Sequence, residues 1–266
     1  MPRSRHPALA LAAALALSAC AGAGHVSGAD PAADAATLMR LAETTQASGN
    51  PGAAIPLWRR AHVLAPENAA PLAGLARALM QAGATGEALD AWSEAARLAP
   101  GDPAIIAGRA GAYLAAGQPQ HAVPMLETAL TKAPSPGLWN QLGVARDMLG
   151  EAGNAETAYR AGLALAPEDP RLATNLALSL AVAGRYAEAS RLLEAALARP
   201  GAGPRQRQNL SLVYALGGDG ERAARLARVD LDDAAVRENL AAADVIRGLP
   251  SHADRVAAVG ALGAQR

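Results

Sequence analysis

The chain is 266 residues long and half apolar (51%), yet only 3% is aromatic and Phe is absent. Ala and Leu supply nearly all of that apolar character. Both favour helix, and the β-branched and aromatic residues that build strands are scarce, which excludes an all-β fold and leaves no Val/Ile-rich run for an α/β sheet. Formal net charge is zero, so no basic surface points to nucleic acid. The single Cys excludes an internal disulfide framework and any Cys-based zinc site.

At the N-terminus, Arg3, Arg5 and His6 precede an apolar run over residues 8–17. A spanning helix needs about 20 apolar residues, so this run reads as a secretory signal. Leu17-Ser18-Ala19-Cys20 follows directly, then Ala21 and Gly22. This segment resembles the lipobox of bacterial lipoproteins, which implies that Cys20 is lipidated and becomes the first mature residue. Ala21 in place of Asp implies, by the same resemblance, onward export to the outer membrane. Two or more acyl chains hold a protein stably at a bilayer. Residues 1–19 are therefore expected to be a signal peptide, and residues 20–34 a lipidated Cys with a flexible Gly/Ala/Ser/Asp-rich tether.

The body repeats itself. Small residues recur at Ala42, Ala76, Ala110, Gly143, Ala177 and Ser211, again at Ala54, Ala88, Ala122, Ala155, Ala189 and Ala223, and Gly at 49, 83, 117, 150, 184 and 218. All three series step by about 34 residues and drop one residue together around Ala133-Pro134-Ser135-Pro136-Gly137. Three series in phase with a shared deletion are not an accident of Ala-rich composition. The period resembles the tetratricopeptide repeat, a helix-turn-helix unit. Trp139-x-x-Leu142-Gly143 matches the opening of its first helix; Ala54 with Trp58 and Ala61, Ala88 with Trp92 and Ala95, and Ala155 with Tyr159 match its second. Gly would end the first helix with positive φ, and Pro66, Pro100, Pro134 and Pro167 would close the units.

The expected fold is an all-α tetratricopeptide-repeat solenoid of about six repeats over residues 35–229, with a C-terminal capping helix and tail over 230–266. Arg109 and Arg146 replace expected apolar residues and predict looser packing or exposure in repeats three and four. Asp230 predicts an early end to the last second helix. Residues 232–247 read as a further helix, N-capped by Asp232 or Asp233, covering the solenoid's end. Beyond Gly248-Leu249-Pro250 the tail predicts no more than a short, frayed helix.

Chemistry is sparse. His6, His25, His62, His121 and His252 offer no pair at metal-binding i, i+4 spacing, and no nucleophile elbow or phosphate-cradling loop is present, so no catalytic residue, metal or cofactor is expected. Arg222, Arg225 and Arg228 read as a solvated face. One constellation stands out: Gln141, Asn175 and Asn209 recur 34 residues apart, where solenoid geometry stacks them along the concave groove. Amides both donate and accept, so such a ladder can hold an extended peptide's backbone; equally, it can tie neighbouring repeats together. Val144, Met148, Leu178, Val182 and Leu212 would line the groove, flanked by Arg171 and Arg205. The earlier repeats carry Arg40, Gly74 and Gly108 at the ladder position.

Arg207-Gln208-Asn209-Leu210-Ser211-Leu212, Ala227-Arg228-Val229-Asp230-Leu231 and Asn239-Leu240 are similar to the end of the tight-adherence (Flp-type) pilus assembly lipoprotein family, TadD. The resemblance runs over about residues 35–247, and its specific part is the last forty or so of these. It implies a non-enzymatic, periplasm-facing outer-membrane lipoprotein that acts like a pilotin, with the pilus secretin as protein partner and neither nucleic acid nor a small-molecule substrate. An adaptor for another envelope process, such as cell-wall enzymes or outer-membrane protein assembly, is the alternative. A hydrolase on a repeat scaffold is disfavoured by the missing acid/base and nucleophile sets.

Overall fold

A computed structural model describes residues 31–199 and 201–264, and the described residues form fourteen α-helices. They are α1 (Pro31–Ala47), α2 (Pro51–Leu64), α3 (Ala69–Gln81), α4 (Thr85–Leu98), α5 (Pro103–Ala115), α6 (Pro119–Lys132), α7 (Pro136–Met148), α8 (Ala152–Leu165), α9 (Pro170–Val182), α10 (Tyr186–Leu197), α11 (Pro204–Leu216), α12 (Gly220–Ala227), α13 (Asp233–Gly248) and α14 (His252–Ala264). The expected signal peptide, Cys20 and most of the expected tether lie outside the described residues. No helix of the described residues is long and apolar enough to cross a membrane.

Local chemistry sets the helix boundaries. Each first helix of a unit ends just before a Gly with φ between 69° and 84°, at positions 49, 83, 117, 150, 184 and 218. Entry is set by side-chain caps: Asn50, Asn68, Asp102, Ser135, Asp169, Asp219 and Asp232 each accept a backbone N–H of the first turn. Such a cap is worth about 0.5–2 kcal/mol. The helices pair as α1–α2 through α11–α12, and α1, α3, α5, α7, α9 and α11 also pack successively on one another. Those six form the inner, concave layer; their partners form the outer one. Ala42, Ala76, Ala110 and Ala177, with Ala54, Ala88, Ala122, Ala155, Ala189 and Ala223, are fully buried. No larger side chain fits where these helices cross.

Aromatic rings tie units together and decide which residues may face them. Trp58 of α2 lies so close to Gly74 of α3 that an added Cβ would meet its ring at 2.5 Å, and Trp92 of α4 stands in the same relation to Gly108 of α5 at 2.3 Å. Tyr159 of α8 instead leans on Gly143 of its own unit. Polar edges are treated unevenly. Trp58 Nε1–H donates to Gln46 Oε1 at 3.2 Å, and the Tyr159 hydroxyl donates to Asp147 Oδ2 at 2.9 Å. Gln46 and Asp147 each lie twelve residues before their ring. Met80 holds the corresponding place before Trp92, whose Nε1 is buried without a partner. Replacing Met80 by Gln should supply the acceptor and raise stability by about 0.5–1.5 kcal/mol. Denaturant unfolding checks this; a loss of stability would mean that the side chain at 80 does not reach the indole.

Three expectations need correction. Helix α1 begins at Pro31, with Ala35 already buried, so the first repeat takes up the end of the segment assigned to the tether; Pro needs no N–H partner in a first turn. Arg146 neither loosens its repeat nor stands exposed: its guanidinium bridges Glu127 of α6 and Glu151 before α8, joining units three and four. Arg109 is half-buried, its guanidinium 5.5 Å from the Tyr113 ring centroid. The tail, finally, is a thirteen-residue helix, not a frayed end. Ser251 Oγ accepts the Asp254 N–H and donates to its carboxylate, at 3.0 and 2.6 Å. Apolar residues at Val256, Val259 and Leu262 then fall on one face and pack against the core of the last repeats.

Candidate protein-binding groove

The C-terminal end of the solenoid shapes the site. Helix α12 is eight residues long, as Asp230 predicted. Arg207 of α11 donates to both Asp230 oxygens, at 2.7 and 2.5 Å, and this guanidinium holds the Asp230 carboxyl below the usual carboxylate range. The clamp fixes α11 against the turn into α13, which packs over α11 and α12 with Val236 buried. Arg222, Arg225 and Arg228 are exposed on the outer layer and pair with Asp219, Glu221 and Asp233.

Six of the residues expected at the groove converge. Arg171, Asn175, Leu178, Arg205, Asn209 and Leu212 line one open cleft of about 740 Å³ on the concave side of α9 and α11. Among the described residues two guanidinium groups and no carboxylate line it; Arg171 also pairs with Asp169 at 3.2 Å. The opposite wall is unexpected. It is made by Val259, Leu262 and Gly263 of α14, which packs along α7 and α9.

The amides divide between two duties. Gln141 Nε2 donates to the Ala107 carbonyl of the preceding unit at 3.0 Å, with its Oε1 buried and unpartnered. Asn175 Nδ2 donates to Asn140 Oδ1 at 2.8 Å, again one unit back. Among the described residues the Asn209 side chain makes no hydrogen bond, and Asn209 lines the cleft. Gln141 lines a separate depression of about 360 Å³ beside Arg171. Three of the expected lining residues do not face the cleft. Val182 is buried in the cluster that contains Val259, Val144 is half-buried against that cluster, and Met148 is half-buried. The rings explain why amides occur only in the C-terminal half: Trp58 and Trp92 require Gly at the ladder positions 74 and 108, whereas Tyr159 turns to Gly143 and leaves room for Asn175.

A polar cluster at the groove's other end was missed. Asp147, near the end of α7 and 4% exposed, accepts from Tyr159, from Ser179 Oγ at 2.7 Å, and lies 3.0 Å from His252 Nε2 at the start of α14. Burial pushes its carboxyl up despite these three partners. Burial, with Asp147 beside it, also pushes the Tyr159 hydroxyl well up. The signal was present as an exception to the repeat: the same place in four other units holds Met80, Leu114, Ala181 or Ala215. No group of three or more His, Cys, Asp or Glu that could hold a metal occurs among the described residues.

These features define a class. Residues 39–103 and 79–142 match tetratricopeptide-repeat family models, and the helix pairs described above have the all-α fold of that repeat. Solved structures agree on the fold. That of Pseudomonas aeruginosa pilF is 17% identical with a TM-score of 0.64, over 79% of this chain and 98% of the other. TTC0263, a thermophilic protein of this repeat class from Thermus thermophilus, is 25% identical with a TM-score of 0.59, over 67% and 98%. YrrB, described as having an unusual peptide-binding site, is 20% identical with a TM-score of 0.50, over 68% and 96%. No curated protein gives a significant sequence match.

Proposed function

We propose that the chain is a non-enzymatic, lipid-anchored adaptor of the outer membrane, facing the periplasm, whose concave cleft grips a segment of a pilus-machine protein, the secretin, in a pilotin-like role during tight-adherence pilus assembly. The observation that carries this is where the family-like C-terminal residues sit. Asn209 and Gln208 line the cleft, Arg207 and Asp230 clamp the helix that presents them, and Asn239 with Leu240 backs that helix from α13. The lipobox-like placement of Cys20 supports the anchor. The test is Cys20→Ser, with fractionation and a count of secretin multimers. Release of the variant from the outer membrane together with fewer multimers is expected. A variant that stays anchored, or normal secretin assembly without the anchor, would overturn the reading.

Cleft substitutions separate binding from scaffolding. Asn209→Ala removes an amide with no internal bond, so affinity should fall roughly three- to tenfold, since a net hydrogen bond is worth about 0.5–1.5 kcal/mol, and stability should hardly change. Asn175→Ala removes the bond to Asn140 and should lower stability by a similar energy. Isothermal titration beside thermal melts reads both. The opposite partition, with Asn209 structural and Asn175 binding, would defeat the assignment. Affinity should depend weakly on salt unless the partner places acidic residues against Arg171 and Arg205.

A further inference from the structure

Helix α14 occupies a place that a repeat solenoid ordinarily offers to its ligand. It lies on α7 and α9 of the concave layer, directed oppositely to α7. Its first residue, His252, meets Asp147 near the end of α7, while Val259 and Leu262 share the cleft with Asn140 from that helix's first half. Its seat has two parts. A polar latch joins His252 to the buried Asp147 carboxylate, and an apolar face presents Val256, Val259 and Leu262 at i, i+3 and i+6. The hold is shallow. Among the described side chains of α14 Val259 alone is buried, while Val256 and Leu262 are half-buried. A thirteen-residue helix is marginal on its own in water, so α14 depends on this seat. Beside it the 740 Å³ cleft stays open along α9 and α11, leaving a place where a competing helix can enter before α14 leaves.

We propose that the groove of the C-terminal repeats takes an amphipathic α-helix, and that α14 is the resident form of that ligand, which a partner's helix of the same chemistry must displace. The recognised segment then carries medium-sized apolar residues at i, i+3 and i+6, with small residues between them, and is not an extended strand. Binding is gated: the tethered helix holds the seat at high effective concentration, so an outside helix gains it only by outcompeting α14. This inference rests on reading the groove as a protein-binding surface, but its test needs no pilus partner.

The probe is a fluorescent synthetic peptide of residues 250–264, added to the full chain and followed by anisotropy. Native protein should bind it weakly. Val259→Asp, which unseats the tail but leaves the repeats intact, should bind it at least tenfold more tightly, and a peptide carrying the same substitution should bind neither protein. Equal binding by both proteins, or none by either, overturns the proposal. Circular dichroism checks that the variant folds; Leu262→Asp, at the half-buried end of the helix, replaces it if it does not. Hydrogen exchange on the native chain gives an independent reading. Amides of α14 should exchange through an opening that leaves α7 and α9 protected, and exchange of α14 only with global unfolding would contradict the proposal. Peptide binding without any secretin interaction would refute the pilus role and leave the helix groove standing.

Discussion

Asp147→Ala is expected to cost about 3–5 kcal/mol, because removing one member of a buried polar set leaves the others desolvated and unpaired. Tyr159, Ser179 and His252 all lose their acceptor at once. The damage should not stay in the fourth repeat: without the His252 latch α14 loosens, so its amides should exchange faster in the variant than in the native chain. Chemical denaturation gives the energy. Asp147→Asn separates charge from shape. The native carboxyl is raised by burial, so its proton is held more tightly in the folded chain. Its contribution is therefore full below the ordinary carboxylate value and is lost as pH rises through the folded value. The stability difference, native minus Asp147→Asn, should shrink on going from acid towards neutral pH. A difference that grows instead would mean that the carboxylate is stabilised, not strained, by its site.

Trp58→Ala is the second large effect, at about 3–5 kcal/mol for a fully buried indole. Its signature lies in a double-mutant cycle. Gly74→Ala alone should cost about 1–3 kcal/mol, since its Cβ would meet the Trp58 ring at 2.5 Å. Once the ring is gone, the same change should stabilise by about 0.5–1 kcal/mol, as Ala does over Gly inside a helix. Additive effects would show that the ring does not press on position 74. Because repeats couple to their neighbours, the loss from Trp58→Ala should spread into the second unit.

The repeat architecture was legible because each unit needs the same few small residues at the same crossings, and Ala42 to Ser211, Ala54 to Ala223 and the turn glycines state that need six times over. The short α12 and the Asp232 cap could be read for the same reason, as departures with a local cause. The groove was only half legible. Register alone brought Arg171, Asn175, Leu178, Arg205, Asn209 and Leu212 to one cleft, since neighbouring units stack in a regular way. Register could not say that Val182 is buried, because the cluster that holds it also draws on Val259 of α14, far along the chain. Nor could it tell that Asn175 reaches back to Asn140 while Asn209 does not. Those outcomes depend on side-chain reach across an interface, which periodicity does not encode. Asp147 was visible only as a carboxylate in an apolar column, and its meaning required the tail to fold back onto it.

The proposed occupant of the C-terminal cleft is a segment of the secretin. The most direct test places a photoreactive amino acid at position 209 in cells that assemble the pilus, with position 160 on the outer layer, where Arg160 is exposed, as the control. Illumination should give a crosslinked product with the secretin from position 209 and none from position 160. No secretin product from 209, or equal yields from both faces, would contradict the claim.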